Sequence, residues 1–188
     1  MCSIAQEGCA TRREFRINEV SKEDVLSKLL RAHQAYYNVF ENHEFAGRTF
    51  PGYAEFHSHG EQYVLVKRAK LWEVDSHEYL FFDTVERLDA EQVSQNIQFM
   101  QEKGLEKVTP QPNHMSSNLI LVVIADEVDD DAARLLKKTR FRKNFKLGFE
   151  GWTDLRLAAI DLSGRRVVTN GAGKDMKQTL EANVWPTK

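Results

Sequence analysis

Residues 119–125 read Leu-Ile-Leu-Val-Val-Ile-Ala, seven consecutive apolar positions. A strand with one wet face alternates polar and apolar residues, whereas a run that is apolar throughout needs cover on both faces. The run is far short of the roughly 18 residues a membrane-spanning helix requires, and no longer one occurs. The chain around it has 188 residues, 41% hydrophobic and 29% charged, too apolar for a disordered chain and too charged for a membrane protein. Twenty-six Lys and Arg oppose 28 Asp and Glu, a formal charge of −2. That balance gives no global pull toward nucleic acid or anionic lipid.

Residues 1–20 read as a flexible leader without a basic start or apolar stretch, so no secretory signal is expected and the setting is read as cytoplasmic. Its Cys2 and Cys9 are the only cysteines, too few for a disulfide framework and without neighbouring soft ligands for zinc.

Residues 21–188 are expected to form a single α+β domain. Ser21 and Asp24 have the spacing of a capping box. Leu26, Leu29, Leu30, His33, Tyr37 and Phe40 recur at helical spacing, predicting a helix to about Asn42. Three strands are expected at Tyr53–His57, Gln62–Trp72 and Glu78–Val85, with gaps short enough for antiparallel hairpins. Asp89 opens a second helix that stops near Gly104. Residues 104–117 carry two prolines and read as a loop joining halves 21–103 and 118–188. In the second half, the buried strand 119–125 precedes a helix at 129–140. Alternating Phe145, Leu147 and Phe149, then Leu155–Leu162 and Val167–Val168, predict three strands, and a last helix covers 173–182. The expectation is therefore two α-βββ-α-like halves forming mainly antiparallel sheet with flanking helices.

Several segments have residues suited to chemistry. His57, His59 and Glu61 fall in His-Ser-His-Gly-Glu, where two imidazoles two apart on a strand share a face and a carboxylate could complete a metal site. His77 is the natural further ligand, but ten extended residues of an intervening strand span roughly 33 Å and set it at the opposite end of the meander. Gly60 suggests a turn instead. Glu55, Glu61, Glu73 and Glu78 lie near the meander and could serve as acid–base pairs, with Glu55 and Glu61 the catalytic candidates. The segment 134–146 has seven basic residues and no acidic ones, and its Phe141 and Phe145 could stack on bases. Lys137, Lys138, Arg140 and Arg142 are its nucleic-acid candidates. Acids at 126–131 precede them, so acid-first, base-last order along one helix answers the same charges through the macrodipole. Asn170-Gly-Ala-Gly-Lys174 lacks both the first glycine and the Ser or Thr of a phosphate loop, and reads as a turn using glycine at positive φ. No serine occupies a Gly-x-Ser-x-Gly elbow.

The order helix, three strands, helix, strand over 22–125 resembles the core of restriction-endonuclease-like nucleases. That resemblance implies a divalent cation held by an acid on one strand and Glu-x-Lys or Asp-x-Lys on the next. Here the third strand begins Glu78-Tyr79-Leu80, Lys67 and Lys70 match no such motif, and the chain's acidic-x-Lys is Asp175-Met176-Lys177 on a predicted helix. The segments AGRTFPGYAEFHSHGEQYVLVKRAKLWE and GFEGWTDLRLAAIDLSGRRVVTNGAGK resemble an uncharacterised bacterial family with no assigned activity. Because each catalytic pattern lacks a residue its chemistry needs, the sequence favours a non-enzymatic ligand- or protein-binding, regulatory domain. Phe50, Tyr53, Trp72, Trp152 and Arg156 are its expected binding residues, in a cleft between halves, and no cofactor is implied. An exposed sheet edge would allow a homodimer; a membrane partner is not expected, and nucleic acid is disfavoured. The alternatives are a metal-dependent hydrolase or nuclease using Glu55, His57, His59 and Glu61, and a nucleic-acid binder using the basic segment.

Overall fold

The computed structural model describes residues 20–62, 72–110 and 114–185, and only the backbone of 59–62 and 72–75. The leader with Cys2 and Cys9, and Lys67 and Lys70, lie outside the described residues. The elements are α1 (Lys22–His33), β1 (Asn38–Phe45), β2 (Arg48–Gln62), β3 (Trp72–Leu88), α2 (Ala90–Glu102), β4 (His114–Val128), α3 (Asp130–Lys138), β5 (Arg142–Asn144), β6 (Trp152–Asp161), β7 (Arg166–Thr169) and α4 (Met176–Val184). They form an α+β fold around one seven-stranded sheet of order β1-β2-β3-β4-β6-β5, with β7 also on β6. Of its six pairings, β1/β2, β2/β3, β5/β6 and β6/β7 are antiparallel, and the central β3/β4 and β4/β6 are parallel.

The apolar run at 119–125 is the middle of β4, buried at every position between β3 and β6. Leu119, Leu121 and Val123 pack beneath α2 and α3, with Val93, Met100 and Leu136. Ile120, Val122 and Ile124 pack on the opposite face beneath α1 and α4, with Leu29, Leu180 and Val184. Burying each such side chain contributes roughly 1.5–3 kcal/mol. The parallel connections β3–α2–β4 and β4–α3–β6 step in one direction across the sheet. Crossovers of one hand then put both helices on one face, leaving the other to α1 and α4. The parallel β3/β4 ladder also spans the loop expected to separate two halves, so both segments share the sheet and both core layers.

The helix starts follow the capping logic. Ser21 accepts from the Asp24 amide at 3.1 Å, and Asp89 and Gln92 make a reciprocal capping box. Three local expectations are corrected. The first helix ends at His33, because Tyr36, Tyr37, Asn38, Val39 and Phe40 are weak helix formers and the antiparallel ladder to β2 takes over. The strand expected at 53–57 does not end before Gly60: β2 continues to Gln62 and pairs directly with β3 from Trp72, while residues 63–71 of the strand expected at 62–72 lie outside the described residues. Phe145, Leu147 and Phe149 form a tight turn, since Lys146 and Leu147 adopt φ of 43° and 58°, incompatible with a strand. No helix of the described residues is long and apolar enough to cross a membrane.

Candidate functional site

The sheet alternation divides the polar residues near the starts of β3, β4 and β6 between its two faces. Glu78, Asn118 and Arg156 face α1 and α4, on the side of Leu80, Ile120 and Ala158. Glu78 and Arg156 wall a pocket of about 240 Å³ floored by Leu29, Leu80, Phe82, Ile120, Val122 and Leu180, and Asn118 stands behind Glu78. Glu78 has both oxygens engaged, one by Asn118 Nδ2 at 3.0 Å and the other by the Tyr37 hydroxyl. Burial, then that hydrogen bond, raises the Tyr37 pKa above its ordinary range, so the phenol remains a donor to Glu78. Arg156 reaches Asp175 with one terminal nitrogen at 3.0 Å. Its Nε–H is fully buried and has no hydrogen-bond partner among the described residues. His33 completes the rim, donating from Nδ1 to the Leu29 carbonyl at 2.7 Å, which leaves Nε2 as its acceptor nitrogen when neutral.

The opposite face carries a histidine cluster. His57 and His77 are cross-strand partners with Nδ1 atoms 2.9 Å apart. This corrects the expected separation: the antiparallel β2–β3 ladder sets His77 directly opposite His57. His57 Nε2 lies 3.9 Å from Glu55, which accepts from Tyr53 at 2.7 Å. The His77 ring stacks on His114, whose Nδ1 donates to the Glu150 carbonyl and whose Nε2 meets Ser117 Oγ, both at 2.8 Å. Ser117 is fully buried. Burial, then the Glu55 hydrogen bond, raises the Tyr53 pKa; burial, then the Glu55 charge, raises that of Tyr79. Burial followed by Lys107 lowers that of His43, against Glu55. Among the described residues no group of three or more His, Cys, Asp or Glu has the arrangement of a metal site. The side chains of His59 and Glu61 lie outside the description.

Of the five expected binding residues, only Arg156 lines the pocket. Phe50 and Tyr53 are 0% and 1% exposed and belong to the core beneath α2. Trp152 is half-buried against the Arg142 guanidinium, and Trp72 is described by its backbone alone, opposite Gln62. The helix–three strands–helix–strand order over 22–125 is present, with β4 parallel to β3. Glu55 on β2 and Glu78 on β3 face opposite sides of the sheet, so they cannot share one cation. Asp175 pairs with Arg156, and Lys177 with Glu181. In the basic segment, Arg142 grips Asp154 with two hydrogen bonds, Lys146 pairs with Glu150, and Phe141 and Phe145 pack on the core. Lys137, Lys138 and Arg140 are exposed. The Asn170–Lys174 turn needs no positive φ at its glycines: the Asn170 side chain organises it.

Sequence reasoning passed over Tyr37, as an apolar helix position, and Asn118. Their signal is that Glu78, Asn118 and Arg156 each precede or interrupt an apolar strand run, which becomes informative only once the strand order aligns them. A family model described as a domain of unknown function (DUF8052) matches residues 21–182. No curated protein and no solved structure matches the chain.

Proposed function

We propose that this chain, which belongs to the DUF8052 family, is a binding domain whose pocket between α1, α4 and the sheet holds a small amphipathic molecule. One observation carries the reading: a buried, unpartnered Arg156 Nε–H in the wall of a pocket with an aliphatic floor. A buried donor without an acceptor is costly, and a ligand oxygen that draws the Arg156 guanidinium toward the pocket would satisfy it while an apolar body covers Leu29, Leu80 and Ile120. Glu78 already has an oxygen engaged by each of Tyr37 and Asn118, so it shapes the wall and leaves Arg156 to read the ligand. A cytoplasmic setting fits a sequence whose two cysteines, Cys2 and Cys9, are too few for a disulfide framework.

The test is calorimetric titration of the full chain with short-chain carboxylates, amides and primary alcohols, alongside thermal shift. Binding is expected to weaken roughly tenfold or more in Arg156→Met, since a hydrogen bond to a charged group contributes about 1.5–3 kcal/mol. Absence of binding across the series, or equal binding by the variant, overturns the proposal.

A second reading, a hydrolytic site, rests on the His57–His77 contact beside Glu55, which supplies acid–base groups on the other face. Metal analysis of the purified chain tests it: a stoichiometric ion lost in His57→Ala supports it, and a protein indifferent to added Mn²⁺ or Zn²⁺ contradicts it.

A further inference from the structure

The turn between β5 and β6 presents two large apolar side chains to solvent: Leu147 is 95% exposed and Phe149 83%. Neither is loosely placed. Phe145 anchors the turn on the core, and its amide and carbonyl bond Gly151 and Gly148 at 2.9 and 2.8 Å. The His114 ring holds the Glu150 carbonyl, and Gly151, at φ 76°, packs so closely on the carbonyls of His114 and Met115 that no Cβ fits. Lys146 and Leu147 occupy the left-handed region that favours glycine, and this conformation turns Leu147 outward. The chain from 137 to 151 carries six cations, Lys137, Lys138, Arg140, Arg142, Lys143 and Lys146, against one acid, Glu150, and all six are exposed. The acids Asp129, Asp130 and Asp131 lie at the other end of α3, a nine-residue helix about 13 Å long. Arg142 and Lys146 are paired with Asp154 and Glu150, while Lys137, Lys138, Arg140 and Lys143 make no ion pair among the described residues, so this stretch keeps a net positive charge in the same segment as the most exposed apolar side chains described.

We infer that this turn docks the protein on an anionic phospholipid bilayer, with Leu147 and Phe149 entering the headgroup–acyl boundary and the surrounding cations meeting lipid phosphates. Apolar insertion plus several adjacent cations is the two-signal arrangement that gives stable interfacial binding. Nucleic acid uses the cations equally well and can stack on Phe149, but Leu147, the more exposed of the two, offers it neither stacking nor hydrogen bonding, which favours the bilayer. The inference is independent of the pocket.

Co-sedimentation of the full chain with phosphatidylcholine vesicles, with and without phosphatidylglycerol, tests it at low and high salt. Pelleting is expected with phosphatidylglycerol vesicles and is expected to fall with salt. The double variant Leu147→Ser/Phe149→Ser should partition roughly tenfold or more weakly while melting as the parent does, because both residues are exposed. Lys137→Gln/Lys138→Gln should weaken it by roughly fivefold per charge. Pelleting that is absent, or equal in parent and double variant, overturns the inference. So does retention on a single-stranded oligonucleotide, lost in the lysine variant, with vesicle binding at background. Self-association lost in the double variant without vesicle binding overturns it too, making the tip an interface between copies.

Discussion

Asn170→Ala tests how the sheet is finished at its outer edge. On the free side of β6, β5 covers Trp152–Asp154 and β7 begins at Ala158, leaving residues 155–157 between them. Asn170, 1% exposed, fills that gap with its side chain. Its Nδ2 donates to the Leu155 carbonyl at 2.9 Å, and its Oδ1 accepts from the amides of Leu157 at 3.1 Å and Gly173 at 2.9 Å. Alanine removes these three and a longer bond to the Thr139 carbonyl, leaving buried backbone groups that cost about 1–3 kcal/mol each when unsatisfied. The expected loss is at least about 3 kcal/mol, and at roughly 2–4 °C per kcal/mol for a chain of this size the melting temperature should fall by about 6–12 °C or more. Urea denaturation with unchanged m-value would measure it. Asn170→Asp should not rescue, because it retains the acceptor but sets a carboxylate oxygen against the Leu155 carbonyl. A loss below about 1 kcal/mol in the alanine variant would refute the reasoning.

Gly151→Ala should destabilise by roughly 2–4 kcal/mol, because its Cβ would lie 2.4 Å from the Met115 carbonyl oxygen at a φ that disfavours side chains; melting near that of the parent would contradict this. His43 is held below its ordinary pKa by burial and by Lys107. The unfolded chain therefore takes up a proton there first as pH falls through about 6.5, and stability should decline below that pH. His43→Phe should flatten that part of the stability–pH curve, and an unchanged slope would count against it. Tyr37, Tyr53 and Tyr79 are held above their ordinary range mainly by burial. Their contribution is complete below about pH 10 and is lost as the pH rises beyond it, because the unfolded chain ionises first. Tyrosinate absorbance appearing together with unfolding is the expected result, and full ionisation of these phenols in the folded chain would exclude it.

The layered core was legible because the run at 119–125 can be buried only from both sides, and the helix starts were legible because Ser21 and Asp89 carry their own capping chemistry. What escaped was long-range. The parallel β3/β4 and β4/β6 ladders join strands separated by whole helices, and no local pattern announces which strands pair. Gly60 suggested a turn, yet the ladder to Val74 outweighs a single glycine's weak strand preference. That one misplacement separated His57 from His77 on paper. The pocket was hidden for the same reason: Arg156 was singled out as an anchor, but Glu78 and Asn118 become its neighbours only through register, with Glu78 opposite Asn118 and Ile120 opposite Arg156. Phe50 and Tyr53 were recognised as aromatic, but aromatic character alone does not separate a core position from a binding one.

The Nε–H resonance of Arg156, followed in a nitrogen–proton correlation spectrum of the full chain during titration with a short-chain carboxylate, tests the pocket most directly. The signal should be present in the parent, absent in Arg156→Lys, and should shift saturably as the ligand oxygen accepts a hydrogen bond from the Nε–H. A signal that stays fixed while the ligand perturbs residues elsewhere, or while no ligand of the series perturbs the spectrum, would contradict the binding role assigned to this pocket.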